Sequence, residues 1–173
     1  GNHDELEGLR DAGAIGLKAF MSDSGIPSFP RVDRTALRAG MKRAARLGMI
    51  VAVHAEDNAL AAEFTRRQRV LGRTNAAAYL RSRPPEVECT AIREALELAG
   101  ETGCALNVVH VSTPEGLALI AAAKRQGVST HKYIVDAVLA RTVAAPDDDK
   151  LTRLAAMVEE VREADVLLHV IDA

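Results

Sequence analysis

Short apolar runs recur along the chain, separated by segments whose apolar residues have helical spacing. Residues 14–20 ("AIGLKAF"), 49–56 ("MIVAVHAE") and 104–112 ("CALNVVHVS") are rich in aliphatic side chains, which predicts buried strands. Segments 33–47 and 83–96 have the pattern of amphipathic helices. Because apolar strands that alternate with helices are typical of a parallel sheet covered by helices, we predict an α/β fold of parallel β/α units.

Other parts of the chain extend this pattern or interrupt it. Thr113 and Pro114 suit the cap and the first position of a helix that follows the third run. Residues 57–86 are polar and rich in arginine, and we assign no helix or strand to them. Towards the end of the chain, further strands are expected at 128–135 and 165–173.

Composition excludes several classes of protein. The chain is 48% hydrophobic and 27% charged with a formal net charge of -2, which is typical of a globular domain and not of a basic nucleic-acid-binding surface. No apolar run is long enough to cross a membrane. Cys89 and Cys104 are too few for a disulfide framework, so we expect free thiols and a cytoplasmic protein. We therefore expect neither a nucleic-acid nor a membrane partner.

Each of the three predicted strands has one polar side chain near its carboxyl end. These are Lys18 in "GLKAF", His54 in "AVHAE" and His110 in "VVHVS". The carboxyl ends of parallel strands form the functional face of α/β folds, so we expect the three side chains near one point. Neutral imidazoles are common zinc ligands, and a lysine becomes a ligand when CO₂ converts its amine to a carbamate. A hydrogen-bonded polar position at the rim of a sheet remains an alternative for each residue.

Four segments around these residues resemble a known family. They are "GAIGLKAFMSDSGIPSFPRVD", "LGMIVAVHAED", "SRPPEVECTAI" and "LNVVHVSTPEGLALI", in this order along the chain. Together they resemble the cyclic amidohydrolases, a family that includes allantoinase, dihydroorotase and hydantoinase. The stretch from Phe20 to Val32, with the pattern "FMS-x-SG…FP-x-V", favours the allantoinases. The resemblance covers residues 1–130.

This resemblance implies part of a TIM (β/α)₈ barrel with a site for Zn²⁺ or another divalent transition metal. It implies that Lys18, as a CO₂-derived carbamate, is a catalytic bridging ligand, and that His54 and His110 bind one of two metals. The implied reaction is hydrolysis of a C–N bond in a small cyclic amide or ureide. Ser22 and Ser112 border the implied site and are candidates for substrate binding. We also expect a homo-oligomer.

The chain also departs from the pattern of this family. It has no His-x-His pair for the second metal, and the catalytic Asp of the family is not recognisable. Asp172 or His169, near the end of the last predicted strand, is a candidate substitute. At 173 residues, the chain is shorter than a barrel of about 200–250 residues. We therefore expect a partial amidohydrolase barrel over residues 1–130 and a divergent β/α segment, packed on the same sheet, over residues 131–173.

Two alternatives follow from these departures. Residues 159–173 resemble a strand of HflX-like GTPases, but the chain has no G-x-x-x-x-G-K-[ST] loop, so nucleotide hydrolysis is not expected. The second alternative is a non-catalytic α/β fragment, truncated or engineered, whose open sheet edges are covered by oligomerisation. Without the His pair and the Asp, we expect the isolated chain to be an incomplete hydrolase.

Overall fold

The computed structural model describes residues 3–129, which belong to one compact unit, Gly1–His131. A 3-10 helix over His3–Glu5 begins this part of the chain. It is followed by helices and strands in the order α1 (Leu6–Asp11), β1 (Gly16–Phe20), α2 (Arg34–Leu47), β2 (Ile50–His54), α3 (Asn58–Val70), α4 (Ala76–Arg81), α5 (Pro85–Thr102), β3 (Leu106–Val109) and α6 (Pro114–Arg125).

The three strands form one parallel sheet in the order β1–β2–β3. Gly16 pairs with Ile50, and Val51 pairs with Leu106. Helices connect each strand to the next, as parallel pairing requires. The Leu106 N–H also donates a hydrogen bond of 3.0 Å to the carbonyl oxygen of Ser129, which follows α6. The predicted α/β fold with parallel strands is confirmed.

Capping residues explain where α2 and α6 begin. The Asp33 carboxylate accepts a hydrogen bond of 2.8 Å from the Ala36 N–H, and α2 ends at Gly48, whose φ of 67° lies in the left-handed region that favours glycine. At the start of α6, the Thr113 hydroxyl accepts a hydrogen bond of 3.1 Å from the Gly116 N–H. The predicted cap at Thr113 is therefore confirmed.

Aliphatic side chains fill the space between the sheet and its helices. Val87, Ile92 and Leu98 of α5 are at most 1% exposed, and Val53 and Leu106 of the sheet are fully buried. Burying a side chain of this size stabilises the fold by about 1.5–3 kcal/mol, so α5 is a main contributor to the core. Within residues 3–129, no helix has the length and apolar character needed to span a bilayer.

Residues 57–86 contain two complete helices, α3 and α4, and leaving this segment without them was wrong. In α3 only Ala61 is buried, and the Glu63 carboxylate forms ion pairs of 2.8 Å with both Arg66 and Arg67. In α4 only Ala78 is buried. A helix that buries so little has a weak apolar stripe, so hydrophobic periodicity did not indicate either helix.

The polar side chains of the three strands lie on one face of the sheet. Lys18 is exposed, and His54 and Asn107 are partly exposed, whereas Val53 and Val108 in the same strands are buried. Successive side chains of a strand point to opposite faces, which separates these residues into two sets. The candidate site lies on this face, near the carboxyl ends of the strands.

Candidate functional site

Strand register brings Lys18 and His54 to the same face of the sheet. Lys18 pairs with Ala52, and His54 pairs with Phe20. Paired residues of parallel strands share a face, and Ala52 and His54 are two positions apart in β2. Lys18 therefore lies two register positions before His54, farther from the carboxyl end of the sheet. His110 directly follows the last residue of β3, at the same end of the sheet.

A row of rings connects these three residues. The Lys18 Nζ atom lies 5.3 Å from the ring centroid of Phe20. The Phe20 ring centroid lies 5.9 Å from that of His54, and the His54 centroid lies 5.9 Å from that of His110. Two imidazoles that share one zinc ion at about 2.0–2.1 Å have ring centroids about 5–6 Å apart. The two histidines are therefore close enough to share a metal ion.

His110 has an unusual backbone conformation. The apolar run predicted a strand through residue 112, but β3 ends at Val109. His110 has a φ of 58°, the only positive φ of a non-glycine residue in the described part of the chain. The left-handed region is costly for a residue with a Cβ, and such residues occur where the surrounding structure holds them. The backbone therefore turns at His110 and does not continue the strand.

Glu56 connects His54 to the loop after β1 and to the segment before α5. Its Oε2 atom lies 3.8 Å from His54 Nε2, accepts a hydrogen bond of 3.4 Å from the Ser22 hydroxyl, and accepts one of 3.2 Å from Arg83 Nε. Interaction with the His54 imidazole, assisted by the charge of Arg83, lowers the pKa of the Glu56 carboxyl. The Ser22 side chain is buried, and its hydroxyl group is directed to Glu56.

Glu88 of α5 holds the segment that follows His110. Its carboxylate accepts hydrogen bonds from the backbone N–H groups of Ser112 (2.8 Å) and Thr113 (2.9 Å). It also accepts hydrogen bonds from both hydroxyl groups, at 2.8 Å from Ser112 and at short range from Thr113. Ser112, which the sequence suggested as a substrate contact, is thus exposed but bonded to Glu88.

Sequence reasoning did not identify Glu56, Arg83 or Glu88 as part of the site. All three lie in the quoted segments "LGMIVAVHAED" and "SRPPEVECTAI", so their positions beside His54 and at the start of α5 were visible. Their partners were not visible, since Arg83 and Glu56 are 27 residues apart and Glu88 and Ser112 are 24 apart.

The donor set of the site consists of two imidazoles and one amine. Among residues 3–129, no group of three or more His, Cys, Asp and Glu side chains is arranged to hold a metal ion. Lys18 is exposed, so its amine is accessible to CO₂, and a carbamate there would supply the missing oxygen ligands. The donor chemistry fits a divalent transition metal on that condition. Asp172 and His169 lie outside the described residues.

Comparison with known proteins agrees with the arrangement of strands and polar residues. The model of the "Dihydro-orotase-like" family matches residues 5–116, which include Lys18, His54 and His110. The chain belongs to the dihydro-orotase-like family. Members of this family are metal-dependent amidohydrolases. The resemblance to cyclic amidohydrolases is thus confirmed.

Allantoinases are among the similar curated proteins. That of Solibacter usitatus is 50% identical over 127 residues, which are 73% of this chain and 28% of the relative. That of Deinococcus radiodurans is 43% identical over 127 residues, with the same two shares. The allantoinase of Desulfitobacterium hafniense strain DCB-2 is 33% identical over 164 residues, 95% of this chain and 36% of the relative. This third alignment therefore extends well beyond residue 130.

Solved structures indicate the same fold. The L-hydantoinase from Arthrobacter aurescens matches with a TM-score of 0.73 and 36% identity, and the match covers 76% of this chain and 29% of that one. The three parallel strands and their helices thus correspond to a part of a TIM barrel of the amidohydrolase type. The chain spans between 28% and 36% of the length of these relatives. The likeness of residues 159–173 to a GTPase strand gains no support from them.

Proposed function

We propose that this chain is the part of a metal-dependent cyclic-amide hydrolase, allantoinase-like, that supplies Lys18, His54 and His110 to a Zn²⁺ site. The observation that carries the proposal is the 5.9 Å separation of the two imidazole rings at the carboxyl end of a parallel sheet. Lys18 lies on the same face, two register positions from His54, in a family of metal-dependent amidohydrolases.

The three side chains have different roles in this proposal. His54 and His110 would hold the metal as neutral imidazoles, and Lys18 would hold it as a carbamate formed with CO₂. The chemistry that such a metal would supply is polarisation of the amide carbonyl and a lower pKa of a water molecule. Glu56, kept ionised by its contacts with His54 and Arg83, orients the His54 ring. Ser22 and Ser112 border the site, and Ser112, which is exposed, is the better substrate contact of the two.

The substrate in this proposal is a small cyclic amide or ureide. Similar proteins are an L-hydantoinase and several allantoinases, whose names refer to cyclic ureides, and the identity of up to 50% favours the allantoinase type. The sequence has no His-x-His pair, so this chain supplies part of a ligand set. We place the protein in the cytoplasm, as a homo-oligomer.

The divergent β/α segment predicted over residues 131–173 lies outside the described residues. The strand expected at 165–173 lies outside them as well, together with Asp172, the candidate for the carboxylate that the family supplies from its eighth strand.

Metal binding tests the proposal directly. The full chain, incubated with Zn²⁺ and bicarbonate and then dialysed, is expected to retain close to one equivalent of zinc. Retention of less than about a tenth of an equivalent would contradict the metal site and favour a non-catalytic fragment instead. With ¹³C-bicarbonate, a carbamate signal should accompany the bound metal.

Matched lysine variants separate a ligand from a general charge effect. Lys18→Ala should abolish both zinc retention and the carbamate signal, because it removes the only amine at the described site. Lys42→Ala is the control, since Lys42 is exposed on α2 and pairs with Glu101 at 4.0 Å. Equal zinc content in wild type and Lys18→Ala would show that Lys18 is not a ligand.

A further inference from the structure

We infer that Glu88 is a positioning residue that sets the orientation of His110, and this inference rests on the proposed metal site. A ligand at the end of a strand needs its backbone fixed on both sides. On the amino side, β3 pairs with β2 up to Val109, which lies opposite His54. On the carboxyl side, regular pairing has ended at His110, and the Glu88 carboxylate takes over.

The four hydrogen bonds to Glu88 restrain two consecutive residues. One carboxylate oxygen accepts from the N–H and hydroxyl of Ser112, and the other accepts from the N–H and hydroxyl of Thr113. Hydrogen bonds to an ionised carboxylate are about twice as strong as those between neutral groups. Residue 112 is only two positions from His110, so restraining it leaves His110 little freedom in φ and ψ.

Glu88 lies in a helical turn whose neighbouring residues belong to the core. Glu88 lies in the first turn of α5 between Val87 and Cys89, which are 1% and 4% exposed. The Thr113 hydroxyl that donates to Glu88 also accepts the Gly116 N–H and so caps α6. We call the four hydrogen bonds from residues 112 and 113 to Glu88 the clamp. The clamp therefore connects the end of β3 to α5 and α6.

The hydrogen bonds to Glu88 are closely packed against Gly116 of α6. A Cβ atom at this position would lie 2.8 Å from Thr113 Oγ1 and 3.1 Å from Glu88 Oε2. Even a methyl group would therefore displace the clamp. The absence of a side chain at residue 116 allows α6 to approach the Glu88 carboxylate.

The clamp accounts for the left-handed backbone conformation of His110. His110 has a φ of 58°, a conformation that a residue with a Cβ adopts when its neighbours impose it. This turn is where the imidazole comes within 5.9 Å of His54. Without Glu88, the segment after Val109 would relax toward extended or right-handed backbone, and the His110 ring would leave its position beside His54.

Glu88→Gln in the full chain tests the inference with little change in shape. The amide keeps one acceptor oxygen, but its NH₂ group faces donors from one of the two residues, so half of the clamp is lost. Zn²⁺ affinity should fall about 10- to 100-fold, as for other residues that orient metal ligands. Glu86→Gln is the control, since Glu86 is exposed in the same helical turn. It should leave the affinity unchanged.

A second readout does not depend on metal. In the metal-free chain, nuclear Overhauser contacts between the ring protons of His54 and His110 should be present in wild type and in Glu86→Gln. They should be lost in Glu88→Gln. Amide hydrogen exchange at residues 112 and 113 should become faster in the same variant. If the wild type binds no zinc, the proposed metal site fails, while these measurements still decide whether Glu88 positions His110.

The inference is overturned by one pattern of results in particular. If Glu88→Gln speeds exchange at residues 112 and 113 but keeps the ring contacts and the zinc affinity, the carboxylate stabilises the loop without orienting His110. Should Glu88→Gln not fold, the exposed Ser112→Ala variant removes a single hydroxyl donor and should lower the zinc affinity to a smaller degree. In a folded Glu88→Gln background, Ser112→Ala should lower the zinc affinity less than it does in the wild type, because the two residues share one interaction.

Discussion

Replacing His110 by glycine is expected to give a more stable metal-free chain than replacing it by alanine. Both variants lose the imidazole, so the comparison isolates the backbone. At a φ of 58°, a Cβ atom costs about 1–2 kcal/mol, which glycine avoids. Glycine loses about 0.5–1 kcal/mol through the greater freedom of its unfolded chain. The net difference should be about 0.5–1 kcal/mol in favour of glycine.

The neighbouring residue provides a control of opposite sign. Val109 is the last residue of β3, where an extended backbone suits any side chain. Only the entropy of the unfolded chain then matters, so Val109→Gly should be less stable than Val109→Ala by about 0.5–1 kcal/mol. The order of glycine and alanine should therefore reverse between residues 109 and 110.

Urea denaturation with a chelator present measures both pairs of variants. In a thermal scan, the same difference at residue 110 corresponds to a shift in Tm of about 1–4 °C. An alanine variant at least as stable as the glycine variant at residue 110 would refute the reasoning. It would mean that the left-handed turn does not persist once the imidazole is removed. Neither His110→Gly nor His110→Ala should bind zinc.

Two further predictions concern the core. Ile92→Ala should lower the free energy of unfolding by about 2–5 kcal/mol in urea titrations, because Ile92 is fully buried, whereas Ile15→Ala, at a position 62% exposed, should have little effect. Burial raises the pKa of the Cys104 thiol from 9.0 to about 11. The unfolded thiol therefore ionises first, so stability should be retained below about pH 9 and decline as the pH rises toward 11. Cys104→Ala should reduce this decline, and an equal decline in both proteins would contradict it.

Local sequence patterns were sufficient to predict the strands, α2, α5 and α6. The aliphatic runs around Val53 and Val108 are buried between the sheet and its helices. Asp33 and Thr113 cap helices through hydrogen bonds to N–H groups three residues away. Such interactions depend on neighbours in sequence, so they can be predicted without knowing the fold. The exposed helices α3 and α4 lack an apolar stripe and were missed for that reason.

For the candidate site too, part could be predicted from the sequence and part could not. The sequence was sufficient to predict candidate metal ligands, because Lys18, His54 and His110 lie near the carboxyl ends of successive apolar runs and within family motifs. It also determined that these strands pair in parallel, since helical segments separate them.

Only the tertiary structure decided how the ends of those strands are held. The apolar run through residue 112 predicted a straight strand, whereas the chain turns at His110. After this turn, the Glu88 carboxylate, 24 residues from Ser112 in sequence, accepts four hydrogen bonds from Ser112 and Thr113. Similarly, Arg83 reaches Glu56 beside His54 only because α5 packs against the sheet. Contacts of this kind depend on packing between elements, so they have no signature in local sequence.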